Sequence, residues 1–210
     1  MLLGDIENIC NSQVPDYLKN KEIKGLAYDS RKVNKGFLFF SIKGQKTDGR
    51  LFIKDAFSKK AIAVVSQDCS DIENCIEVKD IRKCMGKIAN YFYNQPSNKL
   101  NVVGITGTNG KTTTTYLLKE IFEKSGIIGT TGYRFNHVVK KLENTTPESI
   151  DLNKILLEMM PNVDYVFMEV SSHAVTFDRI EGIDFKLKVF TNLSQDHLDF
   201  YQTMENYAKA

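Results

Sequence analysis

Tryptophan is missing from these 210 residues, and prolines, histidines and cysteines number only four, three and four. The cysteines, at 10, 69, 75 and 84, form no C-x-x-C pair and have no histidine at zinc spacing. That excludes the common structural zinc sites and predicts reduced, mostly structural thiols. No segment approaches the roughly 18 consecutive apolar residues of a membrane span, so no membrane insertion is expected. The start of the chain also lacks the basic and apolar regions of a secretory leader, which makes the cytoplasm the expected compartment. Neither sign of charge dominates: 28 Lys and Arg stand against 26 Asp and Glu, for a net charge of +2. The lysines are interspersed with acids, and short clusters such as Lys59-Lys60 read as solvated surface, so no nucleic-acid partner is implied. Internal repeats and low-complexity tracts are absent too. What is present is 42% hydrophobic residues, enough for ordinary cores in one large or two modest domains.

Alternation of strand-like and helix-like segments predicts an α/β chain. Ile23 to Tyr28, Phe37 to Ile42 and Ala61 to Val65 read as strands, with a helix around Phe52 to Lys60. A further helix, Asp80 to Tyr93, places Ile81, Cys84, Met85, Ile88, Ala89 and Phe92 on one face, with Asp80 as N-cap. The polar stretch Asn94 to Asn98 then breaks the pattern, giving domains at 1–97 and 98–210. From Leu100 the order is strand, loop, helix, strand (Ile127 to Thr130), a polar excursion, helix (Ile150 to Met160) and strands Tyr165 to Val170 and Leu187 to Thr191. This is the rhythm of a parallel sheet with crossover helices. Ligands of such sheets bind beyond the carboxyl ends of the strands, so residues just after 105, 130, 169 and 191 are expected to converge on one crevice. The last residues read as a helix without a stop signal, so the second domain is expected to be truncated at its C-terminal side.

The strongest local signal is Gly104 to Thr114. A strand, Val102 to Ile105, runs into Gly107-Thr108-Asn109-Gly110-Lys111-Thr112-Thr113, and a helix follows from Thr112 to Lys124 with Tyr116, Leu117, Ile121 and Phe122 at helical spacing. Such a loop holds a polyphosphate: glycines admit backbone N–H groups to phosphate oxygens, the helix N-terminus adds partial positive charge, Lys111 neutralises, and the Thr112 hydroxyl binds Mg2+. The strict pattern G-x-x-x-x-G-K-[ST] wants glycine where this chain has Ile105. ATP and Mg2+ are therefore the expected ligands, on a variant loop. Glu169 ends the strand Tyr165 to Met168 and is positioned to hold Mg2+; the plainer alternative is an exposed acid followed by turn or capping serines at 171 and 172. His197 lies between Asp196 and Leu198-Asp199 after the next strand and is a candidate metal or phosphate ligand. Asn144, Thr145 and Thr146, before Pro147, offer polar groups to an acceptor or simply form a turn. A Ser-His-Asp hydrolase built on Ser171, Ser172, His173 and His197 lacks the G-x-S-x-G elbow.

With these residues in view, the chain resembles the Mur ligases, ATP-dependent amino-acid-adding enzymes of peptidoglycan synthesis. The resemblance rests on Thr106 to Thr114, on Asp29-Ser30-Arg31-Lys32-Val33 with Gly36, Leu38-Phe39, Lys43-Gly44 and Asp48-Gly49, and on Asn144 to Pro147, Glu169 to Ala174 and Thr191 to Asp199. It is strongest to members that add the third stem residue, diaminopimelate or lysine. The resemblance implies a small N-terminal α/β domain for the UDP end of the substrate, a P-loop NTPase-like parallel-sheet domain and a third domain not found here. It implies Ser30 as a uridine-nucleotide contact, Asn144, Thr145, Thr146, Ser171 and Arg179 as contacts to the muramoyl-dipeptide, Gly107 to Thr113 as the ATP loop, and Thr112, Glu169 and His197 as Mg2+ ligands. Lys111, Glu169 and His197 would then be catalytic, and the partners UDP-MurNAc-dipeptide and an amino acid. Phe177 stands where some members have a substrate-contacting glutamine. A monomer is expected. A fragment of this length is expected to fold and not to turn over by itself. The alternatives are a folylpolyglutamate-type ligase, which shares the loop but lacks the Asp-Ser-Arg domain, and a nucleotide-binding module without ligase activity.

Overall fold

The computed structural model describes residues 1–44 and 47–210. Two compact units emerge, Met1–Phe92 and Tyr93–Ala210, dividing at the end of a helix and just ahead of the polar stretch at Asn94.

In the first unit a parallel four-stranded sheet runs in chain order: β1 (Gly25–Ala27), β2 (Phe37–Phe40), β3 (Ala63–Ser66) and β4 (Cys75–Glu77). Both faces are covered, which is why β2 and β3 read as unbroken apolar runs. Short helices α1 (Asp5–Cys10) and α2 (Asp16–Lys19) precede the sheet, α3 (Ile53–Ser58) lies between β2 and β3, and α4 (Ile81–Phe92) follows β4. Asp80 caps α4 as expected, its carboxylate accepting from the Lys83 amide at 3.1 Å. Ile81, Cys84, Met85, Ile88 and Ala89 are buried, whereas Phe92 is half-buried.

The expectation of reduced thiols is overturned. Cys10 is bonded to Cys84, tying α1 to α4, and Cys69 to Cys75, with Cα separations of 5.5 and 5.6 Å. The physical reason is tertiary: residues 74 apart in sequence meet because α1 packs on α4. In the chain-entropy account a crosslink closing so long a loop contributes about 4 kcal/mol, and the short one about 2 kcal/mol, when oxidised.

The second unit holds a six-stranded sheet ordered β10-β5-β9-β6-β7-β8. Its strands are β5 (Asn101–Thr106), β6 (Ser125–Gly129), β7 (Gly132–Phe135), β8 (Val138–Lys140), β9 (Tyr165–Glu169) and β10 (Leu187–Phe190). β10, β5, β9 and β6 form the expected parallel sheet, and β7 and β8, within the polar excursion, add an antiparallel meander to its edge. Helices α5 (Lys111–Ile121), α6 (Ser149–Met159), α7 (Ser172–Thr176), α8 (Leu198–Tyr201) and α9 (Met204–Lys209) complete it.

On one face α6 buries Leu152, Ile155, Leu156 and Met159 against Val102, Ile128, Val166 and Met168. On the other, Tyr116, Leu118 and Phe122 pack on Val103, Ile105, Ile127 and Phe167. Two expected core residues of α5 are solvent-facing, Leu117 at 60% and Ile121 at 71% exposure. The helix also stops at Ile121 instead of Lys124, because Phe122 turns extended (φ −107°, ψ 105°) to drop its ring between Tyr165 and Phe167.

Candidate functional site

The loop between β5 and α5 is shaped by two glycines with positive φ, Gly107 at 128° and Gly110 at 85°. At Gly107 a β-carbon would also press on the Thr191 hydroxyl and come within 2.8 Å of the Asn192 carbonyl, so only glycine fits. The segment after β10 accordingly clasps the loop. The Asn109 amide donates to Asn192 Oδ1 at 3.1 Å, while Thr191 Oγ1 and Asn192 Nδ2 donate to the Asn109 carbonyl at 2.7 and 3.0 Å. Thr108 Oγ1 accepts from the Ser194 amide at 3.0 Å and lies 3.2 Å from the Tyr207 hydroxyl. These fastenings hold Thr106 to Gly110 at the head of α5, where Lys111 Nζ donates to the Gly107 and Thr108 carbonyls at 2.6 and 3.0 Å.

Beside the loop, β9 delivers Glu169, 2% exposed. Burying a carboxylate is costly unless it is hydrogen-bonded, and here both oxygens accept bonds. Its Oε2 accepts from the Thr112 hydroxyl at 2.8 Å and the Thr130 hydroxyl at 3.0 Å, and its Oε1 from the Thr130 amide at 3.0 Å. The phosphate-loop threonine and the strand-end acid therefore meet, as the strand-end rule predicts. Both present oxygen, the donor type that Mg2+ takes, and Thr112 keeps its lone pairs while donating its proton to Glu169, so this pair fits the ion.

The Asn144 to Thr146 segment joins the same corner. Thr146 is fully buried; its hydroxyl donates to the Glu169 carbonyl at 2.8 Å and accepts from the Ser171 amide at 3.1 Å. Thr145 Oγ1 lies 3.1 Å from Thr130 Oγ1. Arg179 bonds the Thr146 carbonyl at 3.2 Å and pairs with Glu148 at 3.0 Å. Ser171 caps α7 through its side chain, accepting from the Ala174 amide at 3.2 Å. Thr145, Thr146, Ser171 and Arg179 thus share one network; Asn144 is exposed and Thr113 exposed on the first turn of α5.

His197 occupies different company. In left-handed backbone (φ 52°) at the start of α8, its ring is 3.7 Å from Asp196 and its centroid 4.9 Å from that of His173 and 5.9 Å from that of Tyr207. Among the described residues its neighbours are Asp196, His173 and Tyr207, not Thr112 or Glu169. His173, which the sequence offered only as a member of a hydrolase triad, lies near the rings of Phe177 and Phe200, and burial, then the neighbouring His197 and Arg179, push its imidazole below the usual range against an opposing pull from Asp199. A histidine kept neutral in the fold but free to charge when unfolded destabilises the fold as pH falls. The urea midpoint is therefore expected to hold above about pH 6.5 and to decline below it, with His173→Phe flattening the decline.

In the first unit Ser30 is buried in the turn after β1, where Asp29 accepts from the Arg31 amide at 2.9 Å. The Ser30 hydroxyl and then Lys59 hold the Asp55 carboxyl below its ordinary range. The same Asp-x-Arg turn recurs at Asp48-Gly49-Arg50.

A strand, a glycine turn and a lysine-led helix, faced by a strand-end carboxylate, define a phosphate-loop α/β unit. The chain belongs to the Mur ligase family: residues 105–210 match the Mur ligase middle domain, and residues 22–93 the domain described as Mur ligase family, catalytic domain. Members of this family are ATP-dependent ligases. The chain is 49% identical over 199 residues to the UDP-N-acetylmuramoyl-L-alanyl-D-glutamate--2,6-diaminopimelate ligase of Caldanaerobacter subterraneus subsp. tengcongensis, covering 90% of this chain and 41% of that protein. It is 46% identical over 219 residues to ligase 1 of the same name from Clostridium acetobutylicum, covering all of this chain and 44% of that one. A solved structure of a UDP-N-acetylmuramoyl-L-alanyl-D-glutamate--2,6-diaminopimelate ligase superimposes with a TM-score of 0.83 at 27% identity, over 100% of this chain and 44% of that one. The chain thus spans less than half the length of the relatives it matches. Among the described residues, no helix is long and apolar enough to cross a membrane.

Proposed function

We propose that this chain provides the nucleotide-holding and acceptor-holding parts of an ATP-dependent ligase that adds diaminopimelate to UDP-MurNAc-L-Ala-D-Glu. The observation that carries the reading is the Glu169 corner, where the phosphate-loop hydroxyl of Thr112 and the Thr145-Thr146 segment are fastened to one buried residue. A site joining a nucleotide's phosphates to an acceptor's carboxylate requires that proximity. The relatives' shared name supports the choice of diaminopimelate over lysine.

The reaction is amide formation in two transfers. The D-glutamate γ-carboxylate attacks the γ-phosphorus of ATP, releasing ADP and leaving an acyl phosphate; the incoming amine then attacks the acyl carbon, phosphate departs and the amine loses a proton. The first step brings two anions together. Lys111 and the N-terminus of α5 offset that repulsion, and the glycine turn supplies backbone donors to the phosphates. Thr112 and Glu169, with His197 as the third candidate, would hold Mg2+, which when bound neutralises phosphate charge. Arg179 fixes the Thr146 carbonyl, so the segment expected to meet the muramoyl-dipeptide is held in place. Ser30 is assigned to the uridine nucleotide and Gly107 to Thr113 to ATP. Isothermal titration of the chain with UDP-MurNAc-L-Ala-D-Glu is expected to give a saturable heat; a flat trace at millimolar precursor would sink the acceptor half of this reading.

A further inference from the structure

Thr130 belongs to no motif in the sequence, yet it makes more bonds to Glu169 than any other residue recorded here: its amide reaches Oε1 and its hydroxyl Oε2, each at 3.0 Å. Counting protons settles the direction of the next bond. A threonine hydroxyl has one hydrogen, and an ionised carboxylate only accepts, so the Thr130 hydrogen goes to Glu169. The 3.1 Å contact between Thr130 Oγ1 and Thr145 Oγ1 must then be donated by Thr145. The result is a one-way chain, Thr145 to Thr130 to Glu169, meeting the Thr112 hydroxyl on the same carboxylate oxygen. Oε2 is filled by the two hydroxyls, and the Thr130 amide takes one of the two lone-pair positions on Oε1.

We propose that Thr130 is a positioning residue: it fixes the orientation of the Glu169 carboxylate toward Thr112 and couples that carboxylate to the acceptor-side hydroxyl of Thr145. Nucleotide and acceptor then sense each other through one hydroxyl, which makes their binding mutually dependent. This rests on the function proposed above.

The test is isothermal titration of the folded chain with Mg2+·ATP, with and without saturating UDP-MurNAc-L-Ala-D-Glu, for the unsubstituted protein, Thr130→Val and Thr130→Ser. Valine keeps the shape and the amide but deletes the hydroxyl; serine restores it. Thr130→Val is expected to weaken Mg2+·ATP about tenfold, the scale of one hydrogen bond to a charged group, and to abolish the change in affinity caused by the precursor. Thr130→Ser is expected to stay within about twofold of the unsubstituted protein on both counts. A purely structural threonine would not produce a loss that serine repairs in Mg2+·ATP affinity while metal-free ATP binds equally to all three. Thr130→Val behaving as the unsubstituted chain overturns the proposal alone. An unsubstituted chain that binds no Mg2+·ATP overturns the functional reading and this proposal with it. If Thr130→Val does not fold, Thr130→Ala deletes the same hydroxyl, and unchanged binding there is equally fatal.

Discussion

Replacing Lys111 by alanine is expected to reduce phosphate release by the complete ligase about a thousandfold or more while leaving its thermal midpoint nearly unchanged. Lys111 is the loop's own cation, and its ammonium is already aimed across the turn by bonds to the Gly107 and Thr108 carbonyls. Moving a carboxylate toward a polyphosphate concentrates negative charge. A unit charge about 4 Å away, at an effective dielectric constant of about 20, is worth about 4 kcal/mol, or about three powers of ten in rate. Stability is spared because the side chain is only half-buried and the loop is fastened mainly by Thr191, Asn192 and Ser194. Lys111→Arg keeps the charge but replaces a compact ammonium with a planar fork and is expected to recover only part of the activity. Phosphate release within about threefold of the unsubstituted enzyme for Lys111→Ala would remove the lysine from the mechanism.

The loop was legible because its chemistry is local: glycine, lysine and threonine at fixed spacing between a strand and a helix need no tertiary information. Glu169 was legible one step further out, through the rule that parallel strands end at the ligand. Thr130 was legible only as the last residue of the strand Ile127 to Thr130, beside the expected crevice; that its amide and hydroxyl hold Glu169 depends on β6 pairing with β9, which no local pattern states. Strand β4 is three residues long, too short for a period, and α1 and α2 bury only Ile6 and Leu18. Leu117 and Ile121 show the limit of helical periodicity. A sheet covered by α5 accepts the row formed by Thr115, Leu118 and Phe122, with Tyr116 beside it, so apolar residues one position off that row face solvent. The cysteine pairing lay beyond reach for a simpler reason: spacing of 74 residues says nothing about distance until α1 and α4 are packed together.

Gly129→Ala is expected to cut Mg2+·ATP-dependent turnover by the complete ligase about a hundredfold while the protein still folds. Gly129 closes β6 against the side of Glu169, and a β-carbon there would overlap Oε1 and stand 2.6 Å from Cδ and 2.8 Å from Cγ. An end-of-chain clash is cheap when the side chain can swing away. Glu169 cannot swing cheaply, because it is 2% exposed and held by the Thr130 amide and the Thr112 and Thr130 hydroxyls. Making room for a methyl group means breaking about two bonds to a buried carboxylate, a cost of about 3 kcal/mol, and that loss falls on the orientation toward Thr112. The backbone of Gly129 is not in the left-handed region, so alanine adds no torsional strain and the strand itself survives. Gly132→Ala supplies the contrast. That residue has φ of 101° and a β-carbon that would press on the Lys140 carbonyl, so its substitution is expected to lower the thermal midpoint by loosening the β7–β8 hairpin. A Gly129→Ala enzyme with an unchanged Mg2+ requirement and near-normal turnover would show that the carboxylate's orientation is not what the site depends on.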